Sequence, residues 1–497
     1  MLRNKLFKKD YNFELKNDTI PLKWIDHYTY QDSYLQNNTF QFLNIKHLFN
    51  NEIDWNLNEY GKLWTYNLNY FDFLLQDGIT KDQGMILIGD FISNKGRLKD
   101  GIEPYPISLR GINWIKFLSI HKVENKSIDS FLYNDYKRLT DNLEYHILGN
   151  HLLENGFSLL FAAYYFDDDE YYNIARNIIE EELIEQVLDD GAHFELSSMY
   201  HKILLTKLLD CYQLVCTNDN FKDNALKELL KQKAELMLGF LDEISFNNGA
   251  IPLLNDSSDN IALESSVISK YAYRLDLKPN SKSLNESGYR KYFNTNYEVL
   301  ADIGPIGPDY QPGHAHADTF NIILNVKNNP VLVDPGVTTY EINNIRESER
   351  STEMHNTVTI NNKNSSQIWN GFRVGNRANV KILKDKKQEI IAEHDGYKKY
   401  EIVHKRSLIY KNDRLIIKDS LSKFTEGRAF FHLHPGCLIK RNKNIVTVDN
   451  LVSFVFEGQS NITIKEYNYS QGFNKSIRSD KIIVQFKKEL KTSLLIR

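Results

Sequence analysis

Cysteine is nearly absent from this chain. Its 497 residues contain three, Cys211, Cys216 and Cys437, and so odd and sparse a set argues against a disulfide framework. Cys211 and Cys216 fall in a strongly helical stretch and read as small buried hydrophobes. Net charge is almost absent too. Lys and Arg number 61 against 65 Asp and Glu, which leaves −4, so no global field points to nucleic acid or to a membrane surface. No run of about 18 apolar residues occurs, so no transmembrane helix is expected. The basic N-terminus, MLRNKLFKKDYNFELKND, lacks an apolar run of signal-peptide length. A cytoplasmic location is the resulting expectation, with export by an unrecognised route as the alternative. Exact short repeats are missing as well.

What the chain does have is length, aromatic side chains and two kinds of periodicity. It is long enough for two large domains. Aromatic residues make up 12%, with 29 Tyr and 27 Phe; most of them serve as core, though aromatic-lined clefts also suit sugar rings. From about residue 30 to 275 the apolar pattern is helical. Ile174, Ile178, Ile179, Leu183 and Val187 recur at three- and four-residue spacing, and Leu204 to Val215 and Leu226 to Leu241 do the same. Leu152 to Phe166 is apolar nearly all round, which predicts a helix buried on most sides. Helices of this length with short connectors predict antiparallel pairs. Beyond residue 285 short strands take over. Asn412-Asp413 and Asp449-Asn450 each sit between β-rich runs and read as hairpin turns, and Ile482–Phe486 and Ser493–Ile496 read as two late strands. The polar run 278–287 separates a helical domain, 1–285, from an all-β sandwich, 286–497.

Three constellations carry chemistry. The first is Gly313-His314-Ala315-His316-Ala317-Asp318 with Val333-Asp334-Pro335-Gly336 and Met354-His355-Asn356-Thr357. Alternate residues of a strand share a face, so His314 and His316 are expected to project together if this segment is a strand. Imidazole and carboxylate donors in this number suit zinc; hydrogen-bonded histidines between strands are the competing reading. The second is Asn150-His151-Leu152-Leu153-Glu154, where polar side chains open an apolar helix as a helix cap and an i, i+3 pair or as donors at the mouth of a cavity. The third is Glu195-Leu196-Ser197-Ser198-Met199-Tyr200-His201, a polar loop ending in Tyr-His at a helix entrance.

Taken together, the segments GHAHADTFNIIL, PVLVDPG with Tyr340, Arg350-Ser351-Thr352 through His355-Asn356-Thr357, NHLLENG, ELSSMYH and Ile251 to Asp256 resemble the heparinase II/III-type polysaccharide lyases and the similar oligo-alginate lyases. The resemblance covers nearly the whole chain and is strongest in its β part. It implies an N-terminal (α/α) toroid of helix pairs followed by a C-terminal antiparallel β-sandwich, and cleavage of uronic-acid polysaccharides by β-elimination. It also implies that Asn150 and His151 hold the substrate carboxylate with Glu154 in support. Tyr200 is then the acid on the glycosidic oxygen and a candidate for the base as well, and His314 a base or charge stabiliser. His316, Asp334 and His355 would bind a structural zinc that braces His314. That division requires the strand to twist or end near Ala315, or both histidines to crowd one edge of the cleft.

The chemistry asks for these groups. Donors at the uronate carboxylate spread the charge that develops once the C5 proton leaves. A base must stand at C5, and O4 must receive a proton as it departs. For Tyr200 to act as base its phenol must be lowered from about 10, which neighbouring His151 or His314 would do. Elimination consumes no water, which favours a structural metal. Tyr66, Asn69, Arg110, Trp114 and Arg350 are candidate sugar-binding side chains, each with a core or salt-bridge alternative. The expected partner is an acidic polysaccharide or oligosaccharide, with no nucleic acid and no membrane span. Two competing readings are an accessory glycan-binding protein of cell-surface polysaccharide production and a hydrolase using Asp256 and Asp259.

Overall fold

A computed structural model describes residues 10–25 and 27–497. Residues 1–9, the first half of the stretch read for an export signal, lie outside the described residues, as does Asp26. The described chain divides into two compact units. One holds the described residues of Met1–Gln186 together with Ile203–Glu235 and Ser266–Lys278, and the other holds Val187–Lys202, Leu236–Ser265 and Pro279–Arg497.

The first unit is built of helices, among them Lys62–Tyr70, Lys81–Ser93, Pro104–Ile120, Lys126–Thr140, Gly149–Phe166 and Asp169–Gln186. Lys126–Thr140 is amphipathic: Ile128, Leu132, Tyr136 and Leu139 are buried at three- and four-residue spacing, and Asn125 caps the start through its side chain. Gly149–Phe166 instead buries almost every side chain, as its all-round apolar sequence predicts. Its contact with Asp169–Gln186 is close: a Cβ on Gly156 would stand 2.8 Å from Ile178 Cγ2. The helical pattern read from about residue 30 misses one hairpin, Thr39–Phe42 with Ile45–Leu48. Four-residue strands are too short to show alternation. Phe40 and Phe42 lock this hairpin against Trp55, Trp64 and Phe73. Among the described residues no helix is long and apolar enough to cross a membrane.

The second unit holds two antiparallel sheets over one core. A four-stranded sheet runs Tyr289–Phe293, Tyr297–Asp302, Ile322–Val326 and Asn329–Leu332. A ten-stranded sheet includes Glu389–Tyr397, Ile402–Lys411, Arg414–Leu421, Val452–Ser470 and Ser476–Ile496. Val299, Ile322 and Leu324 pack with Leu408, Ile417, Phe454 and Val484 between the sheets. The opposite face of the small sheet is covered as well. Leu300 and Ile323 pack with Ala192, Leu196, Phe240 and Leu254, which is why 187–202 and part of 236–265 group with the strands. Fully burying each such side chain stabilises by roughly 1.5–3 kcal/mol.

Both expected hairpin turns are present. Lys411 pairs with Arg414 across Asn412-Asp413, and Val448 pairs with Val452 beyond Asp449 and Asn450, both at positive φ. The two late strands are one. Ser476–Ile496 runs unbroken, but its partners change along its length: residues 481–487 pair with Glu426–His432 and 489–495 with Arg414–Leu421. The change falls at Lys488, whose φ is 69°, opposite irregular register at Gly458, so a bulge turns the strand from one partner to the next.

Candidate active site

In the second unit, three loops meet around one carboxylate. The helix Ser198–Thr217 begins with Ser197 Oγ accepting from Tyr200 N at 3.3 Å, which sets Tyr200 in the first turn. The 252–257 loop is laced onto this start: Ser198 Oγ donates to Pro252 O, Met199 N donates to Ser257 Oγ, and Asn255 Nδ2 donates to Leu196 O. The histidine segment is not a strand, as the alternating reading supposed. It is a turn and loop, pinned by Asp256 N donating to His314 O, by His316 N donating to Asn255 Oδ1, and by Arg350, which donates to Ala315 O. Leu196, Asn255 and Phe320 take positive φ within these loops. Left-handed backbone at Leu and Phe is costly, and such strain concentrates at functional sites.

His314 and His316 nevertheless converge, because both reach Asp256. His314 Nδ1 lies 2.9 Å from Asp256 Oδ2, and His316 Nε2 lies 2.8 Å from Oδ1. Arg346 grips the same carboxylate with both terminal nitrogens, one of them 2.6 Å from Oδ2. Burial alone would raise Asp256, but Arg346 and the two histidines hold it well below the usual carboxylate range. Arg346 in turn lies over the rings of Tyr340 and Phe372. The His314 ring packs on Tyr200 with centroids 4.0 Å apart, and the Tyr200 hydroxyl is 3.3 Å from that of Tyr340. The other nitrogen of His314, Nε2, has Glu195 Oε2 at 3.9 Å, beyond hydrogen-bond length. Burial pushes the Tyr200 phenol above the ordinary tyrosine range, against the pull of the Tyr340 hydrogen bond. The lowering that a phenolate base would need is therefore not found; Tyr200 stands protonated, as an acid requires.

The remaining expected residues are placed as follows. In the helical unit, Asn150 is buried and His151 partly exposed in the first turn of Gly149–Phe166, entered through Leu148 and Gly149, both at positive φ. His151 Nδ1 bonds Glu144 Oε1 at 3.0 Å, and its ring packs on Tyr105. Glu154 is fully buried, neither carboxyl oxygen meets a hydrogen-bond partner among the described residues, and burial pushes it up to about 7. Tyr66 is half-buried with its hydroxyl on Glu103. Asn69, Arg110 and Trp114 are wholly buried. Asn69 bonds the carbonyls of Trp55 and Thr65, Arg110 pairs with Asp135, and Trp114 packs on Phe71 and Phe91, so in this state they offer a sugar no surface. Arg350, in the second unit, is buried too and clamps Ala315 O and Gly371 O. Sequence reasoning weighed Asp256 only as a hydrolytic acid and passed over Arg346. The signal for Asp256 was its place in the singled-out Ile251–Asp256 loop.

The zinc expectation can be weighed on two nitrogens. His316 Nε2 donates to Asp256, and His355 Nδ1 donates to Asp334 Oδ2 at 2.9 Å, since a carboxylate can only accept. That leaves His316 Nδ1 and His355 Nε2, both buried and without a hydrogen-bond partner among the described residues, on rings 5.2 Å apart. Orphaned buried nitrogens ask for a ligand, and an imidazole whose other nitrogen holds a carboxylate is the usual form of a metal-binding histidine. These two fit a zinc ion. Asp334 stands behind His355, its oxygens also taking Asn321 Nδ2 and Gly336 N. Among the described residues no three His, Cys, Asp or Glu groups form a ready metal cluster as placed.

Two descriptions from one family match this chain: Heparinase II/III N-terminus over residues 107–285 and Heparinase II/III-like, C-terminal over 276–496. The chain belongs to the heparinase II/III family. Its relatives include a heparin-sulfate lyase of Bacteroides stercoris, 25% identical over 344 residues, which covers 61% of this chain and 48% of that protein. A heparin-sulfate lyase of Pedobacter heparinus is 24% identical over 398 residues, 72% and 57% of the two chains. This heparinase II/III chain thus spans about half the length of the curated relatives it matches. Among solved structures, heparinase III matches with TM-score 0.68 at 15% identity over 90% of this chain and 80% of that one. A heparan sulfate lyase of Pedobacter heparinus matches with TM-score 0.57 at 18% identity over 93% and 81%. These likenesses show the fold of the family: an N-terminal (α/α) toroid of helix pairs followed by a C-terminal antiparallel β-sandwich.

Proposed function

We propose that this chain is a polysaccharide lyase that cleaves a uronic-acid-containing acidic glycan by β-elimination. The observation that carries the reading is the pairing of a protonated phenol, Tyr200, with an imidazole held at one nitrogen, His314, their rings 4.0 Å apart. His314 Nε2 takes the proton from C5 of the uronate. The electron pair left at C5 forms the C4–C5 double bond as the C4–O4 bond breaks, and Tyr200 gives its proton to O4. Asn150 and His151 are assigned the uronate carboxylate, where donors stabilise the charge that builds during proton loss. Glu154, raised to about 7 by burial, is assigned a supporting part behind Asn150 and His151. Tyr66, half-buried where Asn69, Arg110, Trp114 and Arg350 are buried, is assigned contact with a sugar ring.

His316 Nδ1 and His355 Nε2, with Asp334 behind, would hold zinc, which when bound supplies a fixed tie between the histidine segment and the 352–357 turn. The names of the relatives make a heparan-type glycosaminoglycan the first polymer to try. The test is incubation with heparan sulfate, hyaluronan, chondroitin and alginate. The expected result is a new ultraviolet-absorbing unsaturated product with at least one polymer, abolished by Asn150→Ala. A polymer that binds yet is never cut would move the chain to the accessory glycan-binding reading.

A further inference from the structure

Asp256 is wholly buried and every acceptor position it has is used. Arg346 takes two, one on each oxygen, while His314 takes a third and His316 the fourth. The backbone repeats the attachment: Asp256 N donates to His314 O, Ser197 Oγ donates to Asp256 O, and the preceding Asn255, at φ 53°, receives His316 N. A buried carboxylate–guanidinium pair is a poor way to gain stability, because desolvation offsets most of its attraction. Here it follows left-handed backbone at Asn255 and stands directly behind the histidine to which the chemistry is assigned.

We infer that Asp256, held by Arg346, is a positioning residue for the elimination: it fixes the proton of His314 on Nδ1 and so leaves Nε2 as the nitrogen that exchanges a proton with substrate. The inference rests on the lyase reading for its consequence and on geometry alone for the tautomer. A carboxylate can only accept, so the nitrogen facing it must carry hydrogen, and the ring cannot turn without breaking that bond. An amide at position 256 cannot reproduce this. With Arg346 and His316 on one side and Arg346 and His314 on the other, an Asn must present its NH2 group to a donor on one side. Where that side is His314, the ring is driven to the opposite tautomer, the way an Asp-to-Asn change disables a serine-protease histidine while leaving its geometry intact.

Nitrogen NMR of histidine-labelled full-length protein, with His314→Gln supplying the assignment, reads the tautomer without any substrate. The wild type is expected to carry the His314 proton on Nδ1; a bare Nδ1 overturns the inference whatever any variant does. In Asp256→Asn the proton is expected to move to Nε2. On whichever uronate polymer the wild type cuts, kcat is expected to fall about a hundredfold or more with KM changed less than about threefold. Asp256→Asn should add little to the loss already present in His314→Gln, whereas a merely structural clamp would cost as much in either background. Correct tautomer with no polymer cut would sink the lyase reading and leave the orientation standing. Should Asp256→Asn fail to fold, Arg346→Lys tests the same anchor, with a smaller loss of kcat expected and none overturning it.

Discussion

Among single residues, Tyr200 is the acid of the proposed elimination. Replacing it by Phe removes one oxygen from a half-buried ring, so packing on His314 survives while the acid is lost. The expected outcome is a fall in kcat of the order of 10²–10⁴ with an unchanged melting curve, read by steady-state kinetics and calorimetry. Glu154 gives a prediction in the other direction. Its folded carboxyl is raised from 4.5 to about 7, so the folded state binds a proton that the unfolded state has already released. Its contribution is therefore most favourable below about pH 4.5, declines as pH rises to about 7, and stays low above that. Glu154→Gln should stabilise the protein at pH 8, by up to roughly 3 kcal/mol, and flatten the pH dependence of urea unfolding between these limits; a destabilised variant at pH 8 would contradict the burial argument. The sequence marked Tyr200 and His314 because a Tyr-His helix entrance and an H-x-H pair are visible locally. It did not mark Asp256 as their anchor, since that role exists only where three loops separated by more than fifty residues meet. Arg110 and Trp114 misled in the opposite sense: polar and aromatic helix faces look alike whether they meet solvent or a buried partner such as Asp135.

Among elements, the strands of the β-sandwich carry a polar chain of their own. Gly396 N donates to His394 Nδ1, His394 Nε2 bonds His404 Nδ1 at 3.1 Å, and His404 Nε2 donates to Asp419, which Arg406 also grips. Arg406 spends its remaining nitrogen on the carbonyls of Phe320 and Asn356, so strands Ile402–Lys411 and Arg414–Leu421 reach the turns beside His316 and His355. Arg406 and His404 hold Asp419 down to about 2 despite its burial. Asp419→Ala would strand a buried guanidinium, and a loss of about 3–5 kcal/mol is expected in denaturant unfolding; a loss below 1 kcal/mol would show the network to be dispensable. Helices were legible from their period, and the Asn412-Asp413 and Asp449-Asn450 turns from their residues. The join of two late strands into Ser476–Ile496 was not, because charged Lys487, Lys488 and Glu489 interrupt the apolar run exactly where a bulge hands the strand to a new partner.

For the molecule as a whole, the compact units are discontinuous in sequence because 187–202 and 236–265 bury Leu196, Phe240 and Leu254 on the small sheet, a long-range choice no local pattern displays. The metal belongs to this scale too. Purified protein is expected to hold about one equivalent of zinc, which His316→Ala or His355→Ala loses, with a lower melting temperature after chelation; full stability in metal-free protein would remove the proposed tie. The central claim is elimination, and one measurement meets it directly: digestion of the accepted uronate polymer in heavy-oxygen water, followed by mass spectrometry of the new chain ends. Elimination predicts new non-reducing ends that are unsaturated and one water lighter than those of a hydrolysis product, with no solvent oxygen taken up in the cleavage. Saturated ends carrying the heavy oxygen would show hydrolysis and contradict it.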